Sequence, residues 1–243
     1  MTGTDTPWGR WEPAPLPEVA ALFSARPIPE AGTEAGAGPE SAAGPESAAG
    51  AESAAGAPAR EAPWWIAGGY AIELAVGRAF RDHGDIDVLL LRRDQLAAQR
   101  ALSGWQWWAA DPPGTLRPWA EGEILPDHVH DIWCRPGPAE PWRVQIMLDE
   151  SDGTGTEWVS RRDSRVRRPI EALGALTPES VPYLAPEVQL YYKAKDPRPK
   201  DEEDFAAVLP VLSEEARRWL TAALERTYGH HPWSRRLWPT RIE

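Results

Sequence analysis

The segment "WWIAGGYAIELAVGRAFRDHGDIDVLLLRRD", from Trp64 to Asp94, carries the clearest signals of local structure in the chain. Its first residues, up to Gly68 and Gly69, are typical of a short buried strand that ends in a glycine turn. The segment "YAIELAVG" places small and aliphatic side chains on one helical face and ends at Gly77, a residue typical of a helix C-terminus. The aliphatic "DIDVLLLRR" follows as a second strand. We therefore predict a strand, a glycine turn, a helix and another strand, in that order.

Two aspartates lie one residue apart on the second of these strands. Because side chains alternate across a strand, Asp85 and Asp87 are expected on the same face. Two like charges about 4 Å apart repel by about 4 kcal/mol at an effective dielectric of about 20, so a divalent cation stabilises such a pair. Mg²⁺ typically takes one or two carboxylates together with substrate phosphates. The bare backbone at Gly68 and Gly69, followed by a helix N-terminus, is suited to those phosphates.

The remaining pattern predicts a small mixed sheet with few helices. A helix is expected in "DQLAAQRALSG", with Asp94 as N-cap and Gly104 after its end. Strands are expected in "WQWWAA", "HDIWCR" and "WRVQIML", the last two as a hairpin. From Thr177 onward three helices are expected, opening at Pro186, Asp201 and Ser213. The fold class is therefore α+β, a mixed sheet flanked by helices and followed by a C-terminal helical subdomain.

Composition divides the chain into five segments. Residues 1–30 form an N-terminal helical segment, with a helix in "LPEVAALFSA". Residues 31–61 repeat a GPESAA-like unit without large apolar side chains, so we predict a disordered low-complexity insertion. The catalytic core is expected at 62–170, the helical subdomain at 171–229 and a tail at 230–243, whose His230 and His231 are given no site role.

Charge and cysteine content exclude several classes of protein. The formal net charge of -11 argues against bulk binding to nucleic acid, although five arginines are concentrated in 161–168. Cys134 is the single cysteine, so no intramolecular disulfide is possible. The sequence offers no apolar stretch long enough for a membrane span, and we predict a soluble cytoplasmic protein. Most of the 14 tryptophans, among them Trp133 and Trp142, are expected in the core, with some available to stack on a base or sugar ring.

The segment "IAGGYAIELAVGRAFRDHGDID" resembles the signature of the polymerase-beta-type nucleotidyltransferase superfamily. It is most similar to the aminoglycoside 2''-adenylyltransferase-like antibiotic nucleotidyltransferases. The resemblance implies that Gly68 and Gly69 contact a nucleoside triphosphate, and that Asp85 and Asp87 bind two catalytic Mg²⁺ ions.

The same resemblance implies basic residues around the triphosphate. Arg78, Arg81 and His83 are expected to orient either the phosphates or the aspartate strand. Lys193 is expected to contact the triphosphate from a helix of the C-terminal half, supported by Lys195, Lys200 and Asp201. Ordinary helix ends rich in basic residues are the alternative explanation for both groups.

A third carboxylate, the base that activates the acceptor hydroxyl, is implied on a neighbouring strand. In "WRVQIMLDE" the expected position holds Gln145 instead of an acid. Asp149, farther along that strand, and Asp131, on the adjacent strand, are the two candidates, and Asp149 is favoured. The predicted catalytic residues are therefore Asp85, Asp87 and Asp149.

These residues predict an enzyme that moves a nucleoside monophosphate, AMP from ATP, to a hydroxyl of a small molecule such as an aminoglycoside, with release of pyrophosphate. An acidic chain fits a polycationic acceptor. One alternative is a toxin-type nucleotidyltransferase that modifies tRNA or a protein, for which the arginine run would supply a basic surface. Another is a non-catalytic nucleotide-binding protein, an option that Gln145 keeps open.

Overall fold

The structure is a computed structural model that describes residues 4–24 and 62–238, all within one compact unit. The predicted disordered insertion at 31–61 lies outside the described residues, as do the ends of the predicted N-terminal segment and of the tail. The division into five segments stays a prediction.

A mixed β-sheet of ten strands forms the centre of the described unit, and a separate two-stranded hairpin precedes it. The hairpin consists of β1 (Thr4–Thr6) and β2 (Gly9–Trp11). The sheet strands are β3 (Trp64–Ile66), β4 (Asp87–Leu91), β5 (Gln106–Ala109), β6 (Arg117–Pro118), β7 (Asp131–Arg135), β8 (Val144–Ser151), β9 (Glu157–Val159), β10 (Arg167–Pro169), β11 (Gly174–Leu176) and β12 (Pro182–Leu184). Their order is β11-β12-β3-β4-β8-β7-β5-β6, and β9 pairs with both β8 and β10.

Helices cover both faces of this sheet. They are α1 (Leu16–Ser24), α2 (Gly68–Val76), α3 (Leu96–Ala101), α4 (Pro186–Lys193), α5 (Pro199–Val208), α6 (Glu214–Tyr228) and α7 (Pro232–Arg236). Alternation along β4 sends Leu89 and Leu91 into a core shared with α4 to α7, whereas Val88 and Leu90 enter a core shared with α1 and α3. This arrangement confirms the predicted α+β class with a mixed sheet.

Residues 64–94 fold in the predicted order, since β3, α2 and β4 follow one another. Gly77 takes a left-handed φ of 78° after α2 and donates its N–H to the Glu73 carbonyl at 2.8 Å. Strand β4 runs antiparallel to β3 and parallel to β8. The strand begins only at Asp87, however, so Asp85 lies in the loop immediately before it.

Several boundaries and elements differ from the prediction. Asp94 is not a helix N-cap, because it ends a 3-10 turn and pairs with Arg93. Helix α5 opens at Pro199, and Asp201 is its third residue, accepting hydrogen bonds from the Arg198 backbone and side chain. The N-terminal hairpin, β6, β9 to β12 and α7 were not predicted from the sequence. Strands β11 and β12 place part of the predicted helical subdomain in the main sheet.

Among the described residues, no helix combines the length and the apolar character that a bilayer span requires.

Candidate functional site

The glycine turn and the aspartate strand meet at one end of the sheet. Gly68 has a left-handed φ of 66°, and a Cβ added there would collide with the Asp87 carboxylate. The Ala67 N–H donates to the Asp87 carbonyl at 2.8 Å, which fixes the start of α2 against β4. The first glycine is therefore required by the close approach of Asp87, a role that the sequence did not predict.

Asp87 lies among other carboxylates. Burial, followed by the charges of Asp85 and Asp131, raises the pKa of Asp87 to about 7. The same loop carboxylate, Asp85, also contributes to the raised pKa of the Tyr70 hydroxyl on α2, after burial and the charge of Glu73. Asp85 in the loop, Asp87 on β4 and Asp131 on β7 thus concentrate negative charge at the start of α2.

Asp131 reaches this location across two strands. Asp87 on β4 is paired in register with Gln145 on β8, so an amide occupies the neighbouring strand position. The Gln145 Nε2 group donates to Asp131 Oδ1 at 3.1 Å, and Asp131 lies on β7, next to β8. Gln145 therefore holds the third carboxylate toward the pair instead of supplying it.

Asp149 lies away from this group, four residues farther along β8 than Gln145. Its Oδ2 accepts hydrogen bonds from Trp158 Nε1 at 2.6 Å and from the Tyr192 hydroxyl, and the side chain is 1% exposed. Burial raises its pKa, which favours the neutral acid, although Arg161 lies 3.9 Å from Oδ1. Because aromatic side chains enclose Asp149, the geometry favours Asp131, the other predicted candidate, as the base, and the choice between the two stays a proposal.

The first turn of α2 presents free backbone donors beside the carboxylates. The Gly68 N–H donates to Gln189 Oε1 at 2.8 Å. Within the described parts of the chain, the Gly69 and Tyr70 amides have no acceptor. Unpaired amides at a helix N-terminus, together with the helix dipole, favour a phosphate group.

Arg81 and Lys193 lie in an ionic network on the helix side of the site. Arg81 donates two hydrogen bonds to Asp204, from Nε at 2.7 Å and from Nη2 at 2.9 Å. Lys193 Nζ lies 2.8 Å from Asp204 and 3.0 Å from Asp201, with only 7% of its side chain exposed. Although burial acts in the opposite direction, hydrogen bonds from Arg81 and Lys193 lower the pKa of Asp204. Both predicted phosphate-binding cations are thus engaged by protein carboxylates.

His83 lies between the glycine turn and this network. Its ring stacks on Tyr70 at a centroid distance of 4.2 Å, and its Nδ1 lies 3.0 Å from Arg81 Nη1. Its Nε2 lies 3.1 Å from Glu73 Oε2. Burial, followed by the charge of Arg81, lowers the pKa of His83, so the ring is neutral at pH 7. Because a Cβ at Gly69 would collide with both Arg81 and His83, the second glycine admits these two side chains.

The residues that tie this network together were missed by the sequence analysis. Glu73 Oε1 accepts from the Phe80 and Arg81 amides at 2.8 and 3.2 Å, which anchors the loop after α2. The available signal for Asp204 was its spacing of three residues from Asp201, which places both acids on one face of α5. Of the supporting candidates, Lys195 and Lys200 are exposed.

The arginine run is paired with protein groups. Arg162 donates to the Tyr191 carbonyl at 3.1 Å and to the Tyr228 hydroxyl at 2.9 Å. Arg165 and Arg168 form ion pairs at 2.7 and 2.6 Å. The remaining contacts are Arg161 with Asp149 and Arg167 with Glu157. The arginines of this run therefore connect the segment 161–168 to β9, α4 and α6.

A cleft opens beside the carboxylates and was also missed by the sequence analysis. It has a volume of about 280 Å³ and includes Asp131 and Gln145 in its wall. The other lining residues are Trp8, Ala110, Gly114, Thr115, Leu116 and Trp133. The acid end of the sheet thus continues into a largely apolar cleft.

In the described ranges, no three acidic, histidine or cysteine side chains are grouped closely enough to hold a metal ion by themselves. Asp85 and Asp87 are hard oxygen donors whose mutual repulsion a cation relieves. Mg²⁺ commonly uses only one or two carboxylates and completes its octahedron with phosphates and water. The pair fits that mode of binding.

Comparisons with solved structures find antibiotic-modifying enzymes at low identity. A crystal structure of ANT(2")-Ia in complex with adenylyl-2"-tobramycin is 17% identical, covering 69% of this chain and 90% of that chain with a TM-score of 0.43. A solution structure of ANT(2'')-Ia is 20% identical, covering 70% and 85%, with a TM-score of 0.44. A lincomycin-bound structure of the lincosamide antibiotic adenylyltransferase LnuA is 14% identical, covering 62% and 87%, with a TM-score of 0.42. A search of curated protein sequences finds no match.

Comparison with protein families identifies the segment that holds the glycine turn and the aspartate pair. Residues 56–109 match the model of the family described as aminoglycoside-2''-adenylyltransferase. The matched residues include β3, α2 and β4, the stretch on which the predicted resemblance rested. The resemblance to the aminoglycoside-2''-adenylyltransferases, a family of enzymes, is therefore confirmed over this segment of the chain.

Proposed function

We propose that the protein is a nucleotidyltransferase that transfers a nucleoside monophosphate to a hydroxyl of a small molecule. The observation that carries the proposal is the convergence of Asp85, Asp87 and Asp131 with the free amides of α2 at one end of the sheet. The family match covers two of these acids and the amides. AMP from ATP is the transferred group that the family's description supports, and an antibiotic such as an aminoglycoside is the class of acceptor.

The geometry supports a division of tasks between the residues. Asp85 and Asp87 would hold Mg²⁺, two ions by the family resemblance, and bound Mg²⁺ supplies charge neutralisation to the phosphates. The Gly69 and Tyr70 amides would bind phosphate oxygens at the N-terminus of α2. In this proposal the main role of Arg81 and Lys193 is to hold the helices around the site in place. The neutral His83 ring fills the space between Tyr70 and Arg81.

The proposed reaction is an in-line displacement at the α-phosphorus. The acceptor hydroxyl oxygen forms a bond to that phosphorus, and the bond to the bridging oxygen of pyrophosphate breaks. Asp131 takes the hydroxyl proton, so the products are the nucleotidylated acceptor and pyrophosphate. Asp131 is suited to this role because the Gln145 amide bonds to Oδ1 alone. Among the described residues, Asp131 Oδ2 has no hydrogen-bond donor, so it is available to accept a proton.

The pairing of the arginine run favours a small acceptor over RNA. A protein that binds RNA needs exposed Lys and Arg for phosphate contacts. Here all five arginines of 161–168 contact protein groups, and of the five only Arg165 and Arg167, with 65% and 48% of their side chains exposed, present charge to solvent. A cytoplasmic location and ATP as the donor remain parts of the proposal.

The proposal is tested by incubating the protein with Mg²⁺, labelled ATP and either tobramycin, a panel of other hydroxyl-bearing antibiotics, or bulk tRNA. We expect pyrophosphate release and an AMP adduct on a small molecule by mass spectrometry, and neither with Asp87→Asn. Label on tRNA alone would favour the toxin-type alternative. Equal background rates in the parent and in Asp87→Asn would leave only a nucleotide-binding protein.

A further inference from the structure

We propose that the cleft beside Asp131 binds the acceptor through an aromatic wall, and that this acceptor is a hydroxylated ring compound carrying at most one positive charge. The inference rests on the proposed function, because it assigns the second substrate of that reaction. Among hydroxyl-bearing antibiotics it favours acceptors with at most one positive charge over the polycationic aminoglycosides that the proposed function gives as an example.

The first observation is an exposed tryptophan whose backbone is fixed. Trp8 is 44% exposed, yet its carbonyl accepts from Trp142 Nε1 at 2.9 Å and its N–H donates to Thr6 Oγ1 at 3.2 Å. Thr6 Oγ1 also closes the turn by donating to the Gly9 carbonyl at 2.6 Å. Packing therefore explains the position of the backbone but leaves the indole ring available in the cleft.

The second observation is that Trp133, which is half-buried in the wall of the same cleft, packs against other tryptophans. Trp133 makes edge contacts with Trp11 and Trp142 at centroid distances of 5.1 and 5.6 Å. It lies two residues after Asp131 on β7, and side chains at that spacing share one face of a strand. A ring that packs on Trp133 would thus place its substituents near the Asp131 carboxylate.

The third observation is the charge of the lining. Among the described residues that line the cleft, Asp131 alone carries a charge, and Gln145 adds a neutral amide. Asp111, in the neighbouring loop, is engaged by Arg117 at 2.9 Å and by His128 at 3.1 Å. Within the described part of the chain, these contacts leave a polycation one free carboxylate in the cleft, since Asp85 and Asp87 are assigned to Mg²⁺.

The volume of the cleft sets the size of the bound group. The cleft volume of about 280 Å³ lies just below the range for small-molecule sites, about 300–1,000 Å³. Such a space holds one or two rings. Aromatic side chains bind the apolar face of a sugar or aryl ring, while hydroxyls at its edge are left for Asp131 and Gln145.

The inference is tested by binding, without nucleotide, so that its failure is separate from a failure of catalysis. The probes are 4-nitrophenyl β-D-glucopyranoside, which is neutral, and tobramycin, which is polycationic, both measured by saturation-transfer NMR and calorimetry at pH 7.5 in physiological salt. We expect the glucoside to bind with saturation at its ring protons and to bind more tightly than tobramycin. Trp8→Ala should weaken its affinity by about 3- to 10-fold.

Trp238→Ala serves as the matched control, because Trp238 is 40% exposed and contacts Thr221 on α6 instead of the cleft. Its affinity for the glucoside should equal that of the parent. Trp133→Phe, which keeps a ring, should lose less affinity than Trp133→Ala, with thermal unfolding recorded for both. Tighter binding of tobramycin, no binding of the glucoside, or equal affinity in Trp8→Ala and the parent would overturn the inference. If the proposed transfer fails while the glucoside binds, the cleft is a binding site without the assigned chemistry.

Discussion

Asp87 is the residue of the site whose ionised form is least favourable in the metal-free protein. It is partly buried, it has acidic neighbours at Asp85 and Asp131, and its pKa is raised to about 7. A group in this state is half protonated near neutral pH when no cation is bound. A bound cation removes the repulsion, so the residue that is costly in the free protein is suited to metal binding.

The raised pKa of Asp87 predicts how stability depends on pH. The folded protein holds a proton on this group between its ordinary pKa of 3.8 and about 7, whereas the unfolded chain releases it. Stability therefore falls as pH rises through that window. In metal-free buffer at pH 8 we expect Asp87→Asn to raise the Tm by at least about 2 °C, which corresponds to about 1 kcal/mol for a chain of this size.

Thermal unfolding across pH 5 to about 8 checks this prediction, with Asp196→Asn, an exposed aspartate, as the control. Added Mg²⁺ should stabilise the parent more than Asp87→Asn. A Tm for Asp87→Asn below that of the parent at pH 8 would show that the carboxylate is already neutralised by the protein.

Asp131 and Asp149 are distinguished by matched substitutions. Asp131→Asn removes the proposed base and should lower kcat by about 10²- to 10⁴-fold. Asp149→Asn resembles the neutral acid that burial favours, so its kcat should stay within about 10-fold of the parent. Rates of pyrophosphate release measure both. The opposite order of the two losses would return the role to Asp149.

At the scale of the elements, the two glycines in the turn from β3 into α2 leave space for the side chains that pack around it. Gly68 leaves room for Asp87, and Gly69 leaves room for Arg81 and His83. The helix start is thereby packed against an acid on one side and a cation on the other. The ionic network of α4 and α5 then holds Arg81 in place through Asp204.

Gly68→Ala and Gly77→Ala separate this packing from backbone strain. Both glycines have a left-handed φ, which costs an L residue about 1–2 kcal/mol. A Cβ at Gly77 meets no atom within 4 Å, whereas one at Gly68 meets Asp87, which adds about 1–3 kcal/mol of overpacking. We expect the larger loss of unfolding free energy, and loss of nucleotide affinity, in Gly68→Ala. Equal losses measured by urea denaturation would contradict the close packing.

Lys193→Met tests whether this lysine stabilises the fold. The substitution leaves Asp201 and Asp204 short of a buried partner, so we expect a loss of about 3 kcal/mol or more in the free energy of unfolding. Lys195→Met, at an exposed position two residues on, should change it by less than about 0.5 kcal/mol. Unchanged stability in Lys193→Met, with weakened nucleotide binding, would instead support a direct contact between Lys193 and the triphosphate.

At the scale of the whole molecule, the sequence predicted what is local. A strand, two glycines, a helix and an aspartate strand are contiguous, and turn and helix-end chemistry marks their boundaries. The proposed third carboxylate, Asp131, was not predictable in this way, because its place beside Asp87 depends on the pairing of β4 with β8 and of β8 with β7. Asp149 shares a strand face with Gln145, but a shift of four residues along the strand carries it into the aromatic core. The short strands β11 and β12 lack a strong alternating pattern, and their position follows from the pairing of β12 with β3 and of β11 with β12.

The central claim is that the paired acids and the bare turn together bind a metal-bound polyphosphate. Calorimetric titration with a non-hydrolysable ATP analogue, with and without Mg²⁺, tests it most directly when the parent is compared with the double variant Asp85→Asn/Asp87→Asn. We expect tight binding to the parent only when Mg²⁺ is present, and an affinity at least about 10-fold lower in the variant, which is about 1.4 kcal/mol. Equal affinity of the parent and the variant in the presence of Mg²⁺ would contradict it.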